Sequence, residues 1–240
     1  MVAEQPDATL EQLRLQGGFK CSLKTLWYAL DRLGLTRKQK SMHAHQRDRP
    51  DVRKKRRSFR RNVGRIEPKK LVFVDETGVA TTMTPTYARA PRGERAVDAA
   101  LASWESVPVI AAVSLDGVRA PLAFPGATDT TAFQTYVKQV LTPELHEGGV
   151  VVFDNLKPHL AAGVTEAIEK AGARVLRLPP YSPDDNPIEE MFSKFKQGFR
   201  QAKARTKAKL YDAVGDSLRS MTLKDILGWI RRAGLCATPG

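Results

Sequence analysis

Three acidic residues, far apart in the chain, each stand where an apolar run stops or a helix starts. Asp75 closes LVFVD within LVFVDETGV (71–79), and Asp154 closes VVVFD within VVVFDNLKPHL (150–160). Glu189 opens a helix predicted over about 187–202, in LRLPPYSPDDNPIEEMFSKFK (176–196), and 34 residues separate it from Asp154. Carboxylates delivered by two strand ends and a helix start form a hard oxygen donor set. Such a set suits Mg²⁺ or Mn²⁺, which take a few carboxylates and keep several waters. Two such ions, about 3.5–4 Å apart, can serve the attacking and the leaving oxygen of a phosphodiester. The chemistry these residues point to is metal-assisted phosphodiester cleavage or transfer, with no Ser or Tyr placed as a nucleophile.

Each acid also has a plainer role open to it. Asp75 can cap the turn that follows a strand, and Asp154 before Asn155 can form an Asx turn. Glu189 falls at the third helical position behind Asn186 and Pro187, the geometry of a capping box. On a helical wheel, Ile188, Phe192, Phe195 and Phe199 define the buried face, with Glu189 about 90° from its centre and Glu190 about 190° away. Glu189 thus sits on the border where a site can open, and Glu190 faces water. Lys196 and Arg200 share that border and suit a DNA phosphate. Asp184 and Asp185 lie in a proline-rich turn with no evident inward aim. Glu76 points to the opposite sheet face from Asp75 and receives no role. Asn155 and His159 are accessory candidates, a histidine satisfied in a turn being an equal reading of the latter.

The elements that must carry these residues alternate. A continuous apolar strand at 71–75 is predicted to be followed by two short strands around a turn at Pro91-Arg92-Gly93 (86–98). VPVIAAVSLDGV (107–118) then forms a hairpin through Asp116-Gly117. A helix over 129–141, a strand at 150–154, a helix near 162–172, a strand at 174–178, the Glu189 helix and a helical tail (207–235) complete the order. The fold class is α/β: a mixed five-stranded sheet flanked by helices.

Ahead of it, TLEQLRL (9–15) and a second helix capped by Ser22 are separated by Gly17-Gly18, which reads as a partial helix-turn-helix over 1–35 or as an ordinary amphipathic hairpin. Leu23, Leu26, Trp27, Leu30 and Leu33 are predicted to form one buried stripe, while Lys24, Thr25, Tyr28 and Arg32 face outward toward DNA. Residues 36–67 read as a basic linker, or an exposed helix lying on DNA phosphates, that cannot contribute to a core. Its dense cations Arg53, Lys54, Lys55, Arg56, Arg57, Arg60 and Arg61 are read as phosphate contacts. The formal net charge of +13 over 240 residues calls for a polyanionic partner. Double-stranded DNA is the first expectation. No apolar run spans a bilayer, no signal peptide is visible, and Cys21 and Cys236 are isolated, so a cytoplasmic, nucleoid-associated setting is expected.

DETG, FDNLKPH, and LPPYSPDDNPIE with FSKFK together resemble the DDE transposases of the IS630 family, related to the Tc1/mariner elements, over roughly 70–200. The resemblance implies an RNase H-like catalytic domain (68–235) and a Mg²⁺-binding triad of Asp75, Asp154 and Glu189. It also implies cleavage at transposon ends and transfer into TA target DNA. Terminal inverted repeats, target DNA and a second copy of the chain are the implied partners. The family usually has Leu where this chain has Asp185, and usually carries a further helix-turn-helix upstream, so a truncated or second-frame product acting as a DNA-binding regulator is an alternative, as is another RNase H-like nuclease.

Overall fold

The computed structural model describes residues 1–38, 44–102 and 104–235. They divide into two compact units, 1–43 and 44–240. Residues 39–43 of the basic segment and Cys236 lie outside the described residues.

The first unit holds α1 (Leu10–Gln16) and α2 (Leu23–Arg32). A capping box between Thr9 and Gln12 starts α1, and Ser22 caps α2 by accepting from the Thr25 N–H. Gly18, at φ +63°, reverses the chain between them, a conformation that costs glycine little. The predicted buried stripe is corrected here. In α2 only Leu26 is buried, while Trp27 is 50% and Leu33 72% exposed. Two short helices cover only one line of apolar side chains. Lys24, Thr25, Tyr28 and Arg32 face solvent as predicted.

The second unit is built on a sheet ordered β3-β2-β1-β4-β5. β1 (Leu71–Ala80) pairs antiparallel with β2 (Ser106–Ser114), which pairs antiparallel with β3 (Gly117–Ala123). β4 (Val150–Phe153) joins β1 in parallel and β5 (Arg174–Arg177) joins β4 in parallel. The helices are α3 (Pro50–Val63), α4 (Thr130–Tyr136), α5 (Ala162–Lys170), α6 (Pro187–Ala202), α7 (Lys207–Arg219) and α8 (Leu223–Arg232). A π-helical stretch, Val137–Leu141, extends α4.

Alternation along β1 separates two cores. Leu71, Phe73 and Val79 join α3, α6, α7 and α8 on one face; Val74 joins Phe133, Tyr136, Phe153, Val164 and Ile168 on the other. Asp75 therefore belongs to the face that α6 covers. There Ile188, Met191, Phe192, Phe195 and Phe199 are buried. Truncating the fully buried Phe195 to Ala is expected to cost about 3–5 kcal/mol, read as a lowered denaturant midpoint.

Three expectations are corrected. Residues 86–98 form no strand; they run exposed between β1 and β2. β1 does not stop at Asp75 but continues to Ala80, because β2 pairs with it as far as Ala80↔Ser106. The basic segment does contribute to a core: α3 buries Val52, Phe59 and Val63, and the last two belong to the main core.

Candidate active site

The register of the parallel pair brings the first two acids together. Phe73 lies beside Val152, so two residues further on Asp75 comes level with Asp154, just beyond the end of β4. Adjacent strands are about 4.8 Å apart. From β2's side Asp75 is mid-strand; from β4's side it stands at the strand end, where its carboxylate is no longer covered by a paired neighbour. Glu189 arrives on the third residue of α6, which packs across β1.

Asp75 feels the charges of both other acids, and Glu189 that of Asp154. Asp75 is raised from 3.8 to about 7, by burial first and then by the charges of Glu189, Asp154 and Glu76, against the pull of the Glu76 N–H. Glu189 is also raised, by partial burial, with Lys196 opposing and Asp154 adding to the effect. The residue as a whole is exposed, so water screens that shift and no energy attaches to it. For Asp154 burial acts upward, but hydrogen bonds from His159 and the Leu156 N–H, with the charges of His159 and Arg177, hold its carboxyl below the ordinary value.

Local hydrogen bonds orient the set. Asp75 Oδ1 accepts from the Glu76 N–H at 2.8 Å, and Asp75 Oδ2 accepts from Asn186 Nδ2 at 3.2 Å. Asp154 Oδ1 accepts from the Leu156 N–H at 3.0 Å, forming the Asx turn, and lies 2.6 Å from His159 Nδ1. Both of those contacts fall on Oδ1, so the turn and a role for Oδ2 coexist. Asn186 occupies the N-cap position of α6 but makes no side-chain cap. The capping box is therefore not formed, and Glu189 is released from that duty.

His159 is fully buried. Its Nε2 lies 2.8 Å from Glu76 Oε2, and its ring lies 4.1 Å from that of Phe133. Burial disfavours its charge, but hydrogen bonds to Asp154 and Glu76 prevail and raise it to about 9. Glu76, passed over in the sequence, thus stands behind Asp154 through one imidazole. Its only sequence signal was alternation, which placed it on the far face where His159 lies. Asn155 Nδ2 donates to the Leu178 carbonyl at 2.7 Å and ties the end of β4 to the end of β5.

The cations expected to contact phosphate divide. Arg53, Lys54, Lys55, Arg57 and Arg61 are exposed on α3. Arg56 is corrected: only 6% exposed, it gives Asp184 two hydrogen bonds, at 3.0 and 2.6 Å, and another to the Tyr181 carbonyl at 3.0 Å. Arg60 is half-exposed but paired, its Nε 2.7 Å from Asp185 Oδ1. Asp184 and Asp185 are thus engaged from α3, contrary to the expectation of no inward aim. Burial acts upward on Asp184, yet Arg56 and Arg47 hold its carboxyl below the usual range. Glu190 does not simply face water; its Oε2 lies 2.7 Å from Arg232 of α8. Lys196 and Arg200 are half-buried on α6.

Among the described residues, no three His, Cys, Asp or Glu side chains close up tightly enough to form a ready metal cage. The donor set nevertheless fits a hard divalent cation. Asp75, Asp154 and Glu189 supply oxygen only, and Asp75 is a largely buried carboxylate raised by its acidic neighbours, with no ion pair among the described residues to offset it. A divalent cation would offset the charge of such a site.

A family profile of DDE superfamily endonucleases matches residues 70–211. Among solved structures, the chain is similar to the Mos1 transposase paired-end complex with left transposon end, with TM-score 0.73 and 15% identity over 97% of this chain and 73% of that one. It is likewise similar to the mariner Mos1 paired-end complex with Mg, at TM-score 0.74 and 16% identity over 98% and 75% of the two chains. The catalytic domain of Mos1 mariner transposase matches at TM-score 0.58 and 12% identity, over 82% of this chain and 95% of that one. At such identities the likeness is one of fold, an RNase H-like sheet with its flanking helices. No curated protein sequence matches the chain.

Proposed function

The chain belongs to the DDE superfamily of endonucleases, and from that premise we propose that it is a transposase, with Asp75, Asp154 and Glu189 as its acidic triad. The observation that carries this reading is the placement of three acids from β1, the end of β4 and the start of α6, close enough that Glu189 and Asp154 both act on Asp75. The similar structures, a paired-end complex with a transposon end, a strand transfer complex, and complexes with Mn and with Mg, support the substrate and the ions. The finer placement with IS630 transposases, and TA as the target, rests on DETG, FDNLKPH and PYSPDDNPIE.

Asp75, Asp154 and Glu189 would hold two Mg²⁺ or Mn²⁺ ions, which supply a more acidic nucleophile and neutralise charge on the phosphate. The chain's own residues orient and select. Asn186 and the Glu76 N–H fix the Asp75 carboxylate; His159 and the Leu156 N–H fix that of Asp154. Lys196 and Arg200 lie further along α6 on the same border as Glu189 and are read as contacts to the DNA backbone. Water cleaves the phosphodiester at the element's end, and the freed 3′-hydroxyl then attacks the target strand. Double-stranded terminal repeats and target DNA are the partners, and two ends brought together imply a second copy of the chain on DNA. Among the described residues no helix is long and apolar enough to cross a membrane.

The test is cleavage of an end-bearing duplex by the full chain with Mg²⁺ or Mn²⁺. Asp154→Asn is expected to reduce nicking by about 10³-fold or more with duplex affinity unchanged. Nicking equal to the parent's refutes the assignment. A second expectation concerns salt. If the five exposed cations of α3 neutralise about five phosphates, duplex affinity falls roughly 500-fold between about 50 and 200 mM salt. A flat response removes α3 from the DNA interface.

A further inference from the structure

The start of α6 is not held by a cap of its own. Asn186 makes no capping hydrogen bond; its Nδ2 is directed at Asp75, and its Oδ1 is buried without a partner among the described residues. The turn that delivers the helix is irregular, with Tyr181 at φ +56°, a conformation that side-chain-bearing residues adopt only when their surroundings impose it. Something else must fix where α6 begins, and with it Glu189 three residues into the helix.

That fixing comes from α3. Arg56 grips both ends of the turn, the Tyr181 carbonyl and the Asp184 carboxylate. Arg60 Nε holds Asp185 Oδ1 at 2.7 Å, and Arg60 Nη2 reaches Asp184 at 3.2 Å. Arg47, from the 3₁₀ turn His45–Asp48, adds a contact to Asp184 at 2.9 Å. Asp185 is 1% exposed; its Oδ2 lies 3.2 Å from Arg56 Nη2, although outside hydrogen-bond geometry. A buried carboxylate needs such partners. The arginines are themselves anchored, because Phe59 and Val63 of α3 share one core with Ile188, Met191 and Phe192 of α6.

We propose that Arg56 and Arg60, through Asp184 and Asp185, are positioning residues for Glu189, so that the inner side of the basic helix sets the third acid rather than binding DNA. This rests on the reading of Glu189 as a member of the triad. It gives α3 two faces with separate duties, the outer one carrying Arg53, Arg57 and Arg61. It also accounts for Asp185, a charge where leucine is usual in the resembling family: a buried acid is tolerated because Arg60 answers it.

Arg56→Ala removes a buried cation and risks the fold, so the decisive variants are Arg60→Ala, at a half-exposed position, Asp185→Leu, and the two combined. Three readouts on the full chain separate the roles: kcat and KM for an end-bearing duplex, the Kd for Mn²⁺ by electron paramagnetic resonance, and the salt slope of duplex binding. Positioning predicts that Arg60→Ala lowers kcat about 10-fold and weakens Mn²⁺ binding about 10-fold, with KM and salt slope unchanged. The double variant recovers most of both, because it no longer leaves a buried acid unpaired. A raised KM with a salt slope reduced by about one and kcat intact would make Arg60 a phosphate contact and overturn the proposal. Unchanged kcat and Mn²⁺ affinity with only a lowered Tm would make the clamp merely structural and overturn it as well. A parent chain that neither cuts DNA nor binds Mn²⁺ would instead refute the triad, a distinct result from an active parent matched by Arg60→Ala.

Discussion

Replacing Asp75 by Asn is expected to abolish cutting and, at the same time, to make the metal-free protein more stable. Asp75 stands at about 7 in the folded chain against an ordinary 3.8, because burial and three neighbouring carboxylates disfavour its charge. The folded state holds a proton that the unfolded state has already released. The resulting contribution to stability is fully present below about pH 3.8 and is lost as the pH rises through 7. At pH 8 the ionised carboxylate therefore weighs against the fold by on the order of 2–4 kcal/mol, which Asn removes while keeping the shape and the hydrogen bond accepted from the Glu76 N–H. Thermal unfolding in EDTA at pH 8 should show Asp75→Asn melting roughly 5–10 °C above the parent, the gap narrowing as the pH is lowered below 7. Cutting should fall by about 10³-fold or more. A variant no more stable than the parent at pH 8 would show that the acids do not oppose one another.

Replacing His159 by Ala works in the other direction. The imidazole fills a closed space between Phe133 and Phe153 and separates the carboxylates of Asp154 and Glu76. Its loss leaves a cavity and two acids facing each other, an expected cost of about 3–5 kcal/mol. With Asp154 no longer oriented, divalent-metal affinity should weaken about 10–100-fold. The pH dependence has its own sign. His159 is raised from 6.5 to about 9, so its contribution is complete below about pH 6.5 and disappears as the pH rises through 9. The parent's advantage over His159→Ala in denaturant midpoint should therefore be larger at pH 6 than at pH 9.5. Equal midpoints and equal Mn²⁺ affinity in the two proteins would remove His159 from any supporting role.

Much of this site could be read from the chain because its parts are locally encoded. Apolar runs ending in Asp marked β1 and β4, and the spacing of Ile188, Phe192, Phe195 and Phe199 marked α6 over its full observed length. What escaped was non-local. Arg56 looked like one more cation in a basic run, yet it finds Asp184 at a separation of 128 residues. The available signal was helical spacing: Val52, Phe59 and Val63 form a stripe with position 56 inside it. Glu76 meets His159 across 83 residues, which nothing local records. The extension of β1 to Ala80 came from pairing with β2, a tertiary effect that overrides the apparent stop at an acidic residue. In α2 the error ran the other way. A regular apolar stripe was read as buried, but two helices offer it too little cover.

The central claim is that Asp75, Asp154 and Glu189 together hold divalent metal. The most direct measurement is a crystal structure of the full chain soaked in Mn²⁺, read by anomalous scattering. The account predicts Mn²⁺ peaks bounded by the carboxylates of these three residues, and none there in Asp75→Asn. Peaks elsewhere only, or a site whose occupancy is indifferent to that substitution, would contradict it.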